Sequence, residues 1–272
     1  MSSNPLKLIL NLQKVISHNV TNIEGNNKMN QMGSGLEILI RNLFIDSNNL
    51  DKDKLDYSNT FSYIGNSSNP PDLILKNSDA IEIKKIESIA SSLALNSSNP
   101  KNKLYSSCEL ITKYCRECEE WSEKDMLYII GTVKNKSLQN LWMIYGDCYC
   151  ADNEIYEKLK YRLQQGIQEL PNIEFSKTKE LGKIKKIDPL GITDLRIRGM
   201  WNIENPVKVF SYLPDADVNF LVLESKYNSF DIQDKNLIES NSSITVNNVE
   251  IKDPNNPAKL LKAKLIQLCL KK

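Results

Sequence analysis

Two apolar stretches interrupted by single charged residues decide the fold of this chain: Pro71-Asp72-Leu73-Ile74-Leu75 and Asp79-Ala80-Ile81-Glu82-Ile83-Lys84-Lys85. Their composition and spacing predict a pair of neighbouring β-strands. Because successive side chains of a strand point to opposite faces of the sheet, Glu82 and Lys84 should emerge on one face. Ile81 and Ile83 should then turn into the core. A polar face on an otherwise buried strand is typical of an active site.

Asp72, Glu82 and Lys84 form the pattern Pro-Asp, a short gap, then Glu-x-Lys. Two carboxylates can hold Mg²⁺, a hard cation that prefers oxygen ligands. A nearby ammonium group can assist the attacking water and stabilise the charge that develops on a phosphate. The pattern therefore indicates a metal-dependent nuclease, with Asp72 and Glu82 as metal ligands. A Pro-Asp turn followed by an exposed charge pair on a strand is the alternative interpretation.

The overall composition is that of an ordinary water-soluble protein. The 272 residues contain 40% hydrophobic and 25% charged residues, with no apolar run of membrane-spanning length and no signal-peptide pattern at the start. We expect one domain over residues 1–272, located in the cytoplasm. The net charge of +1 means that any binding of nucleic acid must come from a local basic patch.

The single histidine, His18, excludes several kinds of chemistry. His-Asn-His and phospholipase D-type nucleases need several histidines, and Ser-His-Asp and Cys-His hydrolases also depend on histidine. His18 lies among apolar residues of a predicted helix, which indicates a structural role. Carboxylates and lysine are then the strongest catalytic candidates.

Six cysteines include a C-x-x-C pair, Cys115 and Cys118, and a C-x-C pair, Cys148 and Cys150. Two such pairs could together bind zinc. The first pair lies in a predicted helix and the second at the end of a predicted strand. Reduced thiols in a cytoplasmic protein are the favoured interpretation.

The periodicity of apolar residues along the chain predicts an α/β protein built around a mixed sheet. Besides the two motif strands, we predict helices at residues 5–18, 36–44, 104–120, 153–170 and 257–270, and strands at 60–64, 126–133, 138–145 and 219–227. The strands 126–133 and 138–145 should form a hairpin. Residues 88–102 and 228–256 are polar, and we expect the first of these to be a functional or disordered loop.

Glu37 is a further candidate carboxylate, because its helix could pack on the sheet and bring it to the metal site. The alternative is an exposed helix glutamate.

A basic region near residues 174–201 is a candidate DNA contact, with seven Lys and Arg residues against four Asp and Glu residues. Arg196 and Arg198 alternate with apolar neighbours and should share one strand face, from which arginine can bind the O6 and N7 edge of guanine. A solvated edge strand is the alternative. Further candidates from this region and from the polar loop before residue 103 are Lys183, Lys185, Lys186, Asn96, Ser97 and Lys101.

Longer strings of the chain resemble the NgoPII-type type II restriction endonucleases. These strings are Asn30-Gln31-Met32-Gly33 with Leu36-Glu37, Phe61-Ser62-Tyr63, Asn69-Pro70-Pro71-Asp72, Asp79 to Ser88, Leu93 to Ser98, Trp121 to Met126, Asp188 to Thr193 and Leu195 to Trp201. The resemblance implies a PD-(D/E)XK nuclease-like fold, in which helices flank a mixed central sheet. It also implies Mg²⁺-dependent cleavage of double-stranded DNA at a short palindrome, GGCC in that family.

Carried over by position, the resemblance makes Asp72, Glu82 and Lys84 the catalytic residues, with Glu37 as an auxiliary carboxylate. A palindrome is read most simply by a two-fold symmetric homodimer, and we expect no nucleotide cofactor. Two alternatives stay open: a structure-selective or repair nuclease of the same fold, and a non-catalytic DNA-binding protein that keeps the fold.

Overall fold

The structure of the protein, a computed structural model, describes residues 4–17, 30–45, 57–66, 69–135 and 137–269. The strands are β1 Phe61–Asn66, β2 Asn69–Leu75, β3 Ala80–Ile86, β4 Leu93–Asn96, β5 Lys103–Tyr105, β6 Glu123–Lys134, β7 Ser137–Tyr145, β8 Gly182–Ile184, β9 Leu195–Ile197, β10 Trp201–Ile203, β11 Val218–Leu223, β12 Ile244–Asp253 and β13 Asn256–Leu268. The helices are α1 Pro5–Ser17, α2 Asn30–Phe44, α3 Lys113–Glu117, α4 Gly146–Tyr149, α5 Asn153–Gln168, α6 Pro206–Val209, α7 Glu224–Ser229 and α8 Ile232–Glu239.

Nine strands form the central sheet in the order β1-β2-β3-β6-β7-β11-β13-β12, with β5 beside β6. The sheet is mixed, because β3 runs parallel to β6 and β7 runs parallel to β11, while the other pairs are antiparallel. The predicted class is confirmed: the fold is α/β, with a PD-(D/E)XK nuclease-like mixed central sheet flanked by helices. Within the described ranges no helix is long and apolar enough to cross a membrane.

Helix α2 packs closely on the sheet and buries Leu36 and Ile40 completely. The approach depends on Gly131 of β6, since a Cβ atom there would lie 2.7 Å from Leu36 Cδ2. The strand β3 is covered on its apolar side, where Ile81 is fully buried and Ile83 is 6% exposed. The alternation predicted for β3 is therefore present.

The strands predicted at 60–64, 126–133 and 138–145 are found in β1 and in the antiparallel hairpin β6–β7. The helices predicted at 36–44 and 153–170 correspond to α2 and α5, and the helix at 5–18 to α1. His18 lies outside the described residues.

The helix predicted at 257–270 is wrong, because this segment is the long strand β13 between β11 and β12. Its Lys, Leu and Ala residues favour a helix in isolation. Pairing along both edges and burial of Leu265 and Ile266 outweigh that preference. Tertiary context commonly overrides intrinsic propensity in this way.

Three other predicted segments are also corrected. The helix predicted at 104–120 shrinks to α3, which Thr112 caps by accepting a hydrogen bond from the backbone N–H of Cys115, while β5 at the start of the segment pairs with β6. The strand predicted at 219–227 ends early and continues as α7. The polar stretch 228–256 contains α8 and the whole of β12.

The polar segment 88–102 is more ordered than a loop, because it contains β4. Strand β4 pairs antiparallel with β10, with Asn96 opposite Trp201. A second small sheet joins β8 to β9, with Lys183 opposite Arg196. The β4–β10 pairing attaches the segment that carries Arg196 and Arg198 to β4, the next strand after β3.

Candidate active site

Strands β2 and β3 bring Asp72 and Glu82 to one place. The two strands are antiparallel, with Leu73 opposite Ile81. The Asp72 Oδ2 atom accepts a hydrogen bond of 2.6 Å from the backbone N–H of Ile83. This bond fixes the Asp72 carboxylate over the strand that carries Glu82.

Lys84 lies two residues after Glu82 on the same strand face, as the alternation predicted. Its Nζ atom is 2.7 Å from Glu82 Oε1, and the two side chains are 22% and 13% exposed. The other oxygen, Glu82 Oε2, is buried and has no hydrogen-bond partner within the described chain. A buried carboxylate oxygen without a partner is costly, so this atom needs a cation or a donor.

The electrostatics of the site also favour a cation. Burial raises the pKa of Asp72 to about 8, and the nearby Glu82 carboxylate adds to the rise, against the opposing effects of the Ile83 N–H and Lys84. Burial would lower the pKa of Lys84, but the adjacent Glu82 outweighs it and the pKa is raised. Lys84 therefore stays charged at neutral pH, but its charge does not offset the effect of burial on the pKa of Asp72.

The residues present fit a divalent cation with oxygen ligands. Asp72 and Glu82 would supply two carboxylates, and Mg²⁺ commonly takes one or two carboxylates, with water and phosphate oxygens completing its shell. In the described parts of the chain, no group of three or more His, Cys, Asp or Glu side chains is arranged to hold a metal. The described residues therefore contain no metal site built from protein ligands alone. The geometry fits a site of two carboxylates that is open to a phosphate.

Glu37 is near this cluster but is not shown to be part of it. Its carboxylate pairs with Arg41 at 3.3 Å, and it does not line the cleft that holds Asp72. Its charge contributes to the raised pKa values of Asp72 and Lys84. The structure therefore places Glu37 at the edge of the site.

A cleft of about 730 Å³ opens over the carboxylates. Seven residues singled out from the sequence line it together: Asp72, Glu82, Lys84, Asn96, Ser97, Arg196 and Arg198. They come from β2, β3 and the end of β4, which follow one another in the sequence, and from the distant β9 region. The same cleft is lined by Lys160, Leu163 and Glu180, which sequence reasoning did not assign to the site. No local pattern marks them, because α5 and the segment after it reach the cleft only through tertiary packing.

Four other predicted DNA contacts lie outside this cleft. Lys183 pairs with Asp194 at 3.0 Å, and Lys185 and Lys186 do not line the cleft. Lys101 is only 5% exposed, and its Nζ atom donates to Asn99 Oδ1 at 3.0 Å. Burial lowers the pKa of Lys101. This lysine is not placed as a surface contact and lines a cavity of about 10 Å³ that it shares with Glu82.

The cysteine pairs do not assemble into a metal site among the described residues. Cys148 belongs to α4 and is buried with Cys150, so the pair does not end a strand as expected. All six cysteines are free thiols. Burial raises the pKa of Cys115 and of Cys150 to about 12, so both thiols are protonated at neutral pH.

Comparison with known proteins shows the family of this chain. The family model of the NgoPII restriction endonuclease matches residues 3–252, and the chain belongs to that family. It is therefore a type II restriction enzyme by class, a site-specific deoxyribonuclease. The type II restriction enzyme NgoPII of Neisseria gonorrhoeae is 48% identical over 252 residues, which are 89% of this chain and 91% of that protein. No solved structure matches the chain significantly.

Proposed function

We propose that this protein is a Mg²⁺-dependent endonuclease that cleaves double-stranded DNA at GGCC and acts as a homodimer. The observation that carries the metal dependence is the buried, unpartnered Glu82 Oε2 atom beside the Asp72 carboxylate. The proposed sequence, GGCC, follows from the family resemblance. Arg196 and Arg198 in the same cleft support recognition of guanine.

In this proposal Asp72 and Glu82 hold the metal ion at the scissile phosphate. A Mg²⁺ ion bound there would lower the pKa of a coordinated water and neutralise charge on the phosphate. Lys84, whose Nζ atom lies 2.7 Å from Glu82 Oε1, would act as a cation. Its ammonium stabilises the negative charge that grows on the phosphate oxygens as the water oxygen bonds to phosphorus and the bond to the leaving oxygen breaks.

The contacts to DNA divide into two kinds. Arg196 and Arg198 would read base edges in the major groove. Asn96 and Ser97, which line the cleft beside the carboxylates, would hold the sugar–phosphate backbone close to the metal. Lys160 of α5 adds a positive charge to the same cleft.

Cleavage of plasmid DNA with mapped GGCC sites tests the proposal. With Mg²⁺ the wild type should give discrete fragments that end at GGCC. Asp72→Ala should give none, yet it should still bind a GGCC duplex when Ca²⁺ replaces Mg²⁺. Glu87→Gln is the matched control, since Glu87 is an exposed carboxylate directly after β3 and its loss should leave cleavage unchanged.

Other outcomes of this experiment select the alternatives. A smear or nicked circles would indicate a structure-selective or repair nuclease. Specific binding without any product across a Mg²⁺ and Mn²⁺ titration would indicate a DNA-binding protein without turnover. Cleavage by Asp72→Ala at the wild-type rate would contradict the metal assignment.

The distribution of exposed apolar residues supports a homodimer. Eleven of the 21 exposed large hydrophobic side chains in the described chain fall between residues 155 and 200. Ile155 and Leu159 of α5 are about half exposed and lie four residues apart, so they share one face of the helix. Such concentrations commonly mark protein interfaces, and a palindromic site needs two copies.

The dimer can be tested by light scattering after size-exclusion chromatography, with and without a GGCC duplex. The wild type should have twice the mass of the chain, and Leu159→Lys should shift it to the monomer while circular dichroism stays unchanged. A dimer that withstands Leu159→Lys would place the interface elsewhere.

A further inference from the structure

The two arginines proposed to read guanine are joined by a single carboxylate, that of Glu180. Arg196 donates from Nε to Glu180 Oε2 at 2.8 Å and from Nη2 to Oε1 at 2.7 Å. Arg198 donates from Nε to the same Oε1 atom. The Glu180 side chain is 13% exposed, whereas both arginine side chains are about half exposed. All three residues line the cleft above the carboxylates.

Glu180 is itself anchored from three directions. Its carbonyl oxygen accepts a 2.7 Å hydrogen bond from Gln164 Nε2 of α5. Its backbone N–H donates to Thr178 Oγ1 at 3.1 Å. The next residue, Leu181, donates its N–H to the carbonyl oxygen of Ile197 in β9 at 3.0 Å. The backbone of residues 180 and 181 is therefore fixed relative to α5 and to β9, the strand that carries Arg196.

The geometry of the contact leaves part of each guanidinium available. A guanidinium has five N–H donors. The Glu180 carboxylate accepts hydrogen bonds from Nε of both arginines and from Nη2 of Arg196. Within the described residues, neither Nη1 atom makes a hydrogen bond. Recognition of guanine by arginine needs two parallel donors toward O6 and N7. The terminal nitrogens can supply these donors while Glu180 holds the sides.

The charge of the cluster also matters for what it will bind. Two arginines and one glutamate carry a net charge of +1 (+2 − 1). Phosphate oxygens are the commonest partners of arginine on DNA and carry no sequence information. A carboxylate between the arginines repels phosphate but tolerates the uncharged acceptors of a base edge. The cluster thus favours a base edge over the backbone.

We infer that Glu180 is a positioning residue for sequence specificity. Its carboxylate binds the Nε side of the Arg196 and Arg198 guanidiniums, so that their terminal nitrogens are directed toward guanine. Its negative charge also keeps both arginines from binding phosphate. This inference rests on the proposed role of the two arginines at DNA.

The test compares the affinity for a GGCC duplex with that for a scrambled duplex, by fluorescence anisotropy with Ca²⁺ in place of Mg²⁺ and at several salt concentrations. Glu180→Gln should bind scrambled DNA more tightly than the wild type does. The slope of log K against log salt concentration should become steeper by the amount expected for about one additional phosphate contact. The ratio of specific to nonspecific affinity should fall about ten-fold, the discrimination of roughly one bidentate arginine–guanine contact.

Asp194→Asn is the matched control. It removes one negative charge from the same segment, where Asp194 pairs with Lys183 at 3.0 Å outside the cleft. The net charge changes by the same amount, yet the affinity ratio should stay at the wild-type value. Equal effects of Glu180→Gln and Asp194→Asn would reduce the role of Glu180 to net charge and overturn the inference.

A second variant separates positioning from charge. Glu180→Asp keeps the charge but shortens the side chain, so the affinity ratio should fall without a change in the salt dependence. A wild-type ratio in both Glu180 variants would overturn the inference while the proposed function stands. A failure of the proposed function appears earlier, as a wild type that binds both duplexes equally.

Discussion

Asp72→Asn should stabilise the protein in the absence of metal, even though it removes a residue proposed for catalysis. The carboxylate of Asp72 is buried next to Glu82, and its pKa is raised to about 8. The folded state then binds the Asp72 proton more tightly than the unfolded state, in which the pKa is near 3.8. The stabilising contribution of this proton is complete below pH 3.8 and is lost as the pH rises toward 8.

The size of this effect follows from the linkage between protons and folding. Within that pH window, stability falls by about 1.4 kcal/mol for each pH unit. From pH 6 to pH 7.5 the wild type should lose about 2 kcal/mol through Asp72 alone. Asparagine does not titrate and retains an oxygen that can accept from the Ile83 N–H. The advantage of Asp72→Asn over wild type should therefore grow by about 2 kcal/mol across the same interval.

Urea denaturation in EDTA at pH 6 and pH 7.5 measures this difference. Glu119→Gln is a control of opposite sign: burial raises the pKa of Glu119, but its bond to Lys124 outweighs this and lowers it. The ionised form of Glu119 stabilises the fold above pH 4.5, so Glu119→Gln should destabilise the protein by the same amount at both pH values.

A metal titration completes the test of Asp72. Saturating Ca²⁺ should stabilise the wild type by about 2.7 kcal/mol at one hundred times its dissociation constant, and it should leave Asp72→Asn almost unchanged. The reasoning is refuted if Asp72→Asn is the less stable protein at pH 7.5 in EDTA, or if its advantage over wild type does not grow with pH.

Four further substitutions have expected outcomes. Gly146→Ala should destabilise the protein by about 1–3 kcal/mol in urea denaturation, because the new Cβ atom would lie 2.3 Å from the Lys101 carbonyl oxygen. Gly166→Ala should instead stabilise α5 by up to about 1 kcal/mol, because no atom lies within 4 Å of the new Cβ atom. Lys101→Met should stabilise the protein at pH 7, and this gain in stability should shrink toward pH 10. Burial lowers the pKa of Lys101, so the cost of its charged form is largest at the lower pH. An equal gain in stability at both pH values would contradict this reasoning. Arg198→Ala should lose about 1–3 kcal/mol of discrimination between GGCC and altered sites, whereas a uniform loss on all duplexes would identify a phosphate contact.

The cluster of Asp72, Glu82 and Lys84 could be predicted from the sequence because it depends on local geometry. Glu82 and Lys84 share a face through the two-residue repeat of one strand, and Asp72 lies on the strand directly before it. Neither inference needed knowledge of distant contacts. The long strand β13 could not be predicted in the same way, because its sequence favours a helix and only its two neighbours in the sheet make it a strand.

The recognition half of the cleft depends on contacts that no local pattern reveals. Arg196 and Arg198 could be singled out by their alternation, but their partner Glu180 lies in a segment between α5 and β8 without any periodicity. Lys101 shows the converse case. Its polar surroundings in the sequence predicted an exposed contact, whereas the packing of residues 99–102 buries it beside Glu82.

The path of the chain links recognition to catalysis more directly than the distance in sequence suggests. Strand β3, which carries Glu82, is followed after six residues by β4. Strand β4 pairs with β10, so that Asn96 lies opposite Trp201, three residues beyond Arg198. If Arg196 and Arg198 read the bases as proposed, a wrong base sequence that displaces them should also displace β10 and β4, which line the cleft beside the carboxylates. Such a connection would make cleavage, and not only binding, depend on the sequence that the arginines meet.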